Sequence, residues 1–217
     1  MKQLPILGLD ERHNLWMNHD AENGDVVLSS RVRLARNFAG FAFPHQTDDP
    51  KRLAIIKQVG RVARSIPPQD SFRVVAMDEL SNHERTVLFE CRLISQELCA
   101  PRAGSGVCFS DAMAVSFMVN EEDHLRIQAL APGLDLVSAW HQADRLDNMI
   151  GGQLPYAFDA EYGFLTACPT NLGTGMRASV MLHLPGLVLC KQMAAVVRAV
   201  QKLGMTVRGM FGEGTNP

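Results

Sequence analysis

The segment Asn120-Glu121-Glu122-Asp123-His124-Leu125-Arg126 constrains the fold of this chain more than any other. Residues 113–119 (Met-Ala-Val-Ser-Phe-Met-Val) read as a strand. Residues 125–130 read as a second one, with Leu125, Ile127 and Ala129 on one face and Arg126 on the other, since strand side chains alternate. The polar residues between them form a tight hairpin connection with three consecutive carboxylates. Like charges repel and cost stability unless something positive is held beside them. Alone, the stretch reads as a solvated acidic turn. Arginines at strand positions elsewhere in the chain shift the reading toward a site.

The first of these lies ahead of the turn. Val26, Leu28, Val32 and Leu34 occupy even positions, and Ser29, Arg31 and Arg33 odd ones, so a strand here presents two guanidinium groups on its polar face. The same alternation returns at Arg177, Ser179, Met181 and His183 against Ala178, Val180, Leu182 and Leu184. A further strand is predicted over residues 205–210, carrying Arg208. The chain holds 16 Arg against 5 Lys. Arginine is favoured where planar anions are gripped by two parallel hydrogen bonds, so the bias points to an anion site.

Helices are predicted between the strands. Apolar residues at 55, 56, 59, 62, 63 and 66 make a helical stripe stopped by Pro67-Pro68. Ser81-Asn82-His83-Glu84 is a capping box opening a helix to about residue 94, with His83 on its surface. Positions 136, 137, 140, 143, 146 and 150 form another stripe, capped by Gly151-Gly152, with Trp140 assigned to the core. A helix over 188–203 ends at Gly204. Short strands are expected over 71–77, 107–110 and 163–167. The last leads into a turn, Cys168 to Gly175, whose two glycines are free to adopt positive φ. The pattern is α+β, with a largely antiparallel sheet flanked by helices.

Composition narrows the function classes. At 217 residues, 47% apolar, 20% charged and net charge −2, the chain is an ordinary globular protein with no overall field for nucleic acid or membrane. Five cysteines (Cys91, Cys99, Cys108, Cys168, Cys190) without Cys-x-x-Cys spacing argue for a reducing cytosol, against a disulfide framework and against a metal site. No signal peptide or bilayer-length apolar run is read. Gly173-x-Gly175-x-x-Ala178 is no dinucleotide fingerprint, because a strand pattern follows it instead of a helix. The run from His141 to Asn148 echoes a protein-kinase catalytic loop but lies in a helical stripe.

Four motifs together carry a family resemblance: Ser29-Ser-Arg-Val-Arg33, Asn120-Glu-Glu-Asp-His-Leu-Arg126, Cys168-Pro-Thr-Asn-Leu-Gly-Thr-Gly-x-Arg177-Ala-Ser, and Val207-Arg-Gly-x-x-Gly-Glu213. From about residue 26 onward the chain resembles the guanidino (phosphagen) kinases. The resemblance implies a curved antiparallel sheet lined with arginines and backed by helices, of the glutamine synthetase/guanidino kinase catalytic-domain type. It divides the chain into a lead-in, 1–25, and a catalytic domain, 26–217. Because the family continues past the position of Pro217, that domain is expected to be incomplete at its C-terminus.

The branch follows from what is missing. Only 28 residues precede the Ser29 motif, where creatine and arginine kinases carry a helical domain that helps enclose a small substrate, and Phe211 stands where those enzymes usually have arginine. The chain is more similar to the bacterial protein-arginine kinase branch, which phosphorylates arginine side chains on other proteins in stress response and quality control. ATP and Mg²⁺ are the implied cofactors. Protein substrates bearing arginine are the implied partners, with an activator or adaptor protein and, for a full-length member, a homodimer. A cytoplasmic location is implied, with no direct nucleic-acid or membrane partner. Two alternatives stand: a small-molecule guanidino kinase, and a truncated, non-catalytic remnant that binds nucleotide or phosphoarginine.

The resemblance also assigns residues. Arg31, Arg33, Arg126, Arg177 and Arg208 would hold the phosphates. Ser29, Ser30, Val32, Ala178, Ser179, Val180, Met181, Gly209, Met210, Phe211, Gly212 and Glu213 would complete the nucleotide contacts. Glu122 matches the base, Glu213 the second carboxylate, and Cys168 a cysteine beside the acceptor guanidinium. A buried inert cysteine is the alternative for Cys168. Arg92 falls where the family often has a histidine near the nucleotide, and it is given no role.

Overall fold

The computed structural model describes residues 21, 23–66 and 72–209. Most of the predicted lead-in, the Pro67-Pro68 stop, and Met210, Phe211, Gly212 and Glu213 lie outside the described residues. Six strands form one sheet: β1 (Val27–Arg36), β2 (Phe72–Ala76), β3 (Gly106–Ser110), β4 (Val115–Val119), β5 (Leu125–Pro132) and β8 (Met176–Leu182). Their order is β2-β3-β4-β5-β1-β8, with every neighbouring pair antiparallel. β6 (Phe158–Asp159) and β7 (Gly163–Phe164) make a separate two-residue hairpin. The predicted strand over 163–167 is therefore confined to β7.

The register divides the sheet into two faces, because residues paired directly across a ladder point the same way. On one face Val32 and Leu34 of β1, Leu125, Ile127 and Ala129 of β5 and Phe117 of β4 meet two helices. These are α1 (Asp49–Ser65), through Ile55, Val59, Val62 and Ala63, and α3 (Leu136–Gly151), through Ala139, Ala143, Leu146 and Ile150. The helical and strand periodicities read from the sequence converge here. Half of the other face, made by Val75, Val107, Phe109 and Met118, is covered by α2 (Asn82–Glu90) through Leu88 and by Leu93 and Leu98 after it. The remaining half, on β5, β1 and β8, carries the arginines.

The helix ends depart from the predicted ones. Ser81 opens α2 as a capping box, its hydroxyl accepting from the Glu84 amide while the Glu84 carboxylate accepts from the Ser81 amide at 2.8 Å. The helix stops at Glu90, short of residue 94, because Arg92 adopts φ 62°. The Leu93 amide then reaches back to the Leu88 carbonyl and the Arg92 amide to Phe89, both at 2.9 Å, which satisfies the last free carbonyls. The single helix predicted over 188–203 is two: α4 (Pro185–Leu189) and α5 (Met193–Lys202). Lys191, at φ 58°, closes α4 by the same pattern, with Gln192 bonding to Leu187 and Lys191 to Val188.

Three further expectations are corrected. Residues 205–208 form no strand, and Gly209 makes only an isolated bridge; a strand persists only where a neighbouring ladder takes up its amides and carbonyls. Trp140 is 42% exposed instead of core, since it sits at the outer margin of α3, where it lines a shallow apolar hollow with Val137, Met176 and Ala178. On β8 the apolar face, with Met176, Val180 and Leu182, is the exposed one, while Arg177, Ser179 and Met181 are half-buried. The arginine-bearing side faces into the molecule because it meets the other arginines.

Candidate active site

β1 sits between β5 and β8, and this brings together arginines that are far apart in sequence. Arg33 pairs directly with Arg177 and Arg31 with Ser179 on one side; on the other, Arg33 pairs with Gln128 and Ala35 with Arg126. Arg31, Arg33, Arg126 and Arg177 thus share one face, together with Ser29, Ser179 and Met181. Ser30, Val32, Ala178 and Val180 point to the opposite face. The Ser30 hydroxyl donates to the Gly133 carbonyl at 2.8 Å and accepts from the Asp135 amide at 2.9 Å. Burial, reinforced by Arg92, Arg126 and Arg177, draws the Arg31 pKa down to about 10. Arg33 is drawn down to about 9 by burial and by Arg31, Arg126 and Arg177, against the pull of Glu121. Both remain cationic at neutral pH, so the face is a concentrated positive field suited to a polyanion.

Arg92 belongs to this cluster, a membership the sequence reading did not assign. Its left-handed backbone brings it to the end of α2 beside Arg31, and its carbonyl accepts a 2.5 Å hydrogen bond from Gln128 Nε2. Gln128 also donates to Ser116 Oγ at 2.9 Å, and Ser116 donates to the Leu93 carbonyl at 3.3 Å. A polar Gln128 on the arginine-bearing face of β5 is the one signal in the sequence. Arg208 lies exposed on the segment after α5.

The carboxylate turn is mostly buried. Asn120, at φ 54°, donates through Nδ2 to the Arg52 carbonyl at 3.0 Å and the Gly104 carbonyl at 2.8 Å, which anchors the turn against α1. Gly104 cannot be replaced there: at φ 78°, a Cβ would stand 2.8 Å from the Arg52 and Leu53 backbone. The three carboxylates then part company. Glu121 is 9% exposed, lies 2.9 Å from Arg126 Nη1 and accepts from Ser95 Oγ. Its pKa is raised by burial, against the opposing pull of Arg126 and Ser95. Glu122 is exposed and accepts from Arg126 Nη2 at 2.8 Å through Oε2. Asp123 is fully buried. One guanidinium, Arg126, therefore ties the arginine face to both glutamates.

Cys168 caps a short 3₁₀ turn (Pro169–Asn171) and is half-buried, with its Sγ 3.0 Å from Thr170 Oγ1. The Ala167 amide beside it donates to Asp123 Oδ1 at 2.7 Å, so the cysteine loop and the carboxylate turn are in direct contact. Gly175 closes the loop against β1: the Ala35 amide donates to its carbonyl at 2.8 Å, and a Cβ would stand 2.5 Å from the Ala35 oxygen. Arg36, also unassigned from sequence, holds this region from below. It is 3% exposed, chelates Asp147 through Nε and Nη2 at 2.7–3.1 Å, donates to the Ala35 and Thr174 carbonyls, and lies 3.6 Å over the Phe164 ring.

Residues 54–217 match the family model for ATP:guanido phosphotransferase, C-terminal catalytic domain. A protein-arginine kinase of Moorella thermoacetica is 45% identical over 208 residues, covering 94% of this chain and 59% of that protein. One from Pelotomaculum thermopropionicum is 46% identical over 211 residues, covering 95% and 59%. A Bacillus cereus protein-arginine kinase is 42% identical over 209 residues. The chain thus spans about 59% of the length of these relatives. Among solved structures, the duplicated taurocyamine kinase from Schistosoma mansoni with bound transition state analog components matches with TM-score 0.80 and 25% identity, over 91% of this chain and 29% of that one. Lombricine kinase matches in fold, with TM-score 0.75 and 24% identity over 88% and 56%. The arginine-lined antiparallel sheet, the carboxylate turn beside it and the family match over residues 54–217 together place this chain in the ATP:guanido phosphotransferase family.

Proposed function

We propose that this chain is the nucleotide- and acceptor-binding part, over residues 26–217, of a cytoplasmic protein-arginine kinase of bacterial stress response and quality control. It transfers the γ-phosphoryl group of ATP to an arginine side chain of another protein. The observation that carries the reading is the joining of four arginines on one face to an exposed carboxylate, Glu122, through Arg126. The names of the relatives at 42–46% identity supply the acceptor class.

Phosphoryl transfer asks the protein for positioning and charge stabilisation more than for covalent chemistry. Arg31, Arg33, Arg126 and Arg177, with Arg208, hold the triphosphate and the equatorial oxygens of the moving group. The acceptor guanidinium carries only donors and is protonated at neutral pH, so it needs a carboxylate to orient it and to take a proton. Glu122 fills that role: as the N–P bond forms and the bond to the ADP oxygen breaks, its free oxygen receives the proton. Glu213 is the second carboxylate, and Cys168 orients the guanidinium. Mg²⁺ would be carried mainly by the phosphates and water, as this ion usually is beside a nucleotide. The ion would neutralise phosphate charge. An adaptor protein and a homodimer of the longer protein complete the proposed partnership. Among the described residues no helix is long and apolar enough to cross a membrane.

The test is incubation with MgATP and an arginine-rich protein, followed by assay for acid-labile protein phosphate. Transfer to the protein with little transfer to free arginine or creatine is expected. Equal efficiency on the free guanidines would instead place the chain with small-molecule kinases such as those it matches in fold. ATP binding with no transfer to any acceptor would make it a binding remnant.

A further inference from the structure

Three adjacent side chains of one chemical kind, Glu121, Glu122 and Asp123, have three fates, and the proposed transfer reaction uses only Glu122. Asp123 is 0% exposed, and no cation lies among its hydrogen-bond partners. Burying a carboxylate without a cation is costly, and hydrogen bonds to it offset only part of that cost. Its Oδ1 accepts from Asn37 Nδ2 at 2.6 Å and from the Ala167 amide at 2.7 Å, while Oδ2 is buried without a hydrogen-bond partner.

Asn37 extends the link in both directions. It is 1% exposed, donates to the Leu165 carbonyl at 3.0 Å, and accepts from the His124 amide at 2.9 Å. His124 is held in turn: its Nδ1 accepts from the Phe38 amide at 3.1 Å, and its Nε2 donates to the Ala42 carbonyl at 2.9 Å. The end of β1, the carboxylate turn and the 165–167 loop are therefore joined at one buried point. Glu122 and Cys168 are the chain neighbours of Asp123 and Ala167, the two residues bonded to each other there.

We infer that Asp123 is a positioning residue: its Oδ1, shared by Asn37 and the Ala167 amide, sets the register between the Glu122 turn and the Cys168 loop. The consequence for turnover rests on the proposed transfer reaction; the clamp itself does not. A misplacement of about 1 Å between groups that address the same guanidinium is enough to slow transfer by up to 10²-fold.

The test compares wild type with Asp123→Ala, Asp123→Asn and Asn37→Ala. ATP affinity is read by calorimetry, kcat and KM with a protein acceptor, and the alkylation rate of Cys168 by iodoacetamide against that of exposed Cys190 in the same chain. Asparagine keeps an Oδ1 acceptor but loses the charge, so the clamp predicts rescue. Asp123→Ala should lower kcat/KM by roughly 10- to 100-fold with ATP affinity within about 2-fold, and Asp123→Asn should stay near wild type. The Cys168-to-Cys190 rate ratio should change at least about 3-fold in the Ala variant and return in the Asn variant. Two results overturn the inference: an Ala variant with unaltered ratio and turnover, or an Asn variant as impaired as Ala, which would mean that charge or Oδ2 is what matters. If Asp123→Ala does not fold, Asn37→Ala carries the same expectation, and an unchanged ratio there is equally fatal. If wild type transfers no phosphate, the function proposed above fails, and the alkylation ratio still decides the clamp.

Discussion

Arg33 and Arg177 stand directly opposite one another on β1 and β8, an arrangement of like charges that costs stability by itself. An anion recovers that cost, so nucleotide affinity should depend on each member of the cluster. Arg126→Ala or Arg177→Ala is expected to weaken ATP binding by about 1.5–3 kcal/mol, the scale of a charged hydrogen-bonding partner. Calorimetry checks this, and unchanged affinity in both variants would remove the arginine face from the nucleotide site. Glu122→Gln keeps the shape and the contact with Arg126 but loses the base. ATP should bind almost normally while transfer falls roughly 10²–10⁴-fold, with Glu121→Gln the milder change in turnover. His124 gives a pH signature. Burial, the larger cause, holds its pKa below the ordinary value, against the Ala42 carbonyl and Asp123. The unfolded chain therefore takes up the proton first. The contribution is complete above about pH 6.5 and is lost as pH falls below it. Urea midpoints between pH 7.5 and 5.5 should fall more steeply for wild type than for His124→Gln, and parallel slopes would contradict the assignment.

Among the described elements, two helices are closed by a residue other than glycine in the left-handed region: α2 by Arg92 and α4 by Lys191. Glycine is the unstrained choice at this position, and a side chain with a Cβ costs about 1 kcal/mol there. The two sites differ in what surrounds them. Arg92 adjoins Arg31 and is braced by Gln128, whereas Lys191 is exposed. Both Arg92→Gly and Lys191→Gly should raise the unfolding free energy, each by about 0.5–1 kcal/mol, read from the shift of the urea midpoint. Only Arg92→Gly should also weaken ATP binding. Equal nucleotide affinity in the two variants would show that the strain at Arg92 serves folding geometry and not the site.

For the molecule as a whole, Arg36 and Asp147 form the joint that binds β1, α3, β7 and the 174–175 turn. The pair is nearly buried, with side chains 4% and 10% exposed. Removing one partner leaves an uncompensated charge, so Arg36→Leu should cost about 3–5 kcal/mol. Arg36→Leu combined with Asp147→Leu should be milder than either single change, because no buried charge is left alone. A double-mutant cycle on urea unfolding measures it, and simple additivity would mean that the two residues act independently.

The sequence by itself determined what depends on near neighbours. The alternation in β1, β5 and β8, the apolar stripe of α1, the 143, 146 and 150 part of the α3 stripe and the Ser81–Glu84 capping box formed as read, because each is a local pattern whose period matches one backbone geometry. Val137 and Trp140 of α3 and the apolar face of β8 nevertheless proved exposed. The four motifs pointed to the family for a related reason: residue type and spacing survive in the linear order. Tertiary structure decided whatever required distant partners or an unpatterned backbone angle. Arg36 and Asp147 are 111 positions apart, and nothing local pairs them. The stripe over 188–203 runs through both α4 and α5, and periodicity does not register the left-handed Lys191 between them. Glu121, Glu122 and Asp123 look alike in sequence. They acquire different environments because Ser95 and the Ala167 amide reach Glu121 and Asp123 from distant parts of the chain, while Glu122 meets only the nearby Arg126. Which carboxylate faces solvent and which is locked inside is therefore a property of packing, since burial and partners, not residue type, set the work a charged group can do.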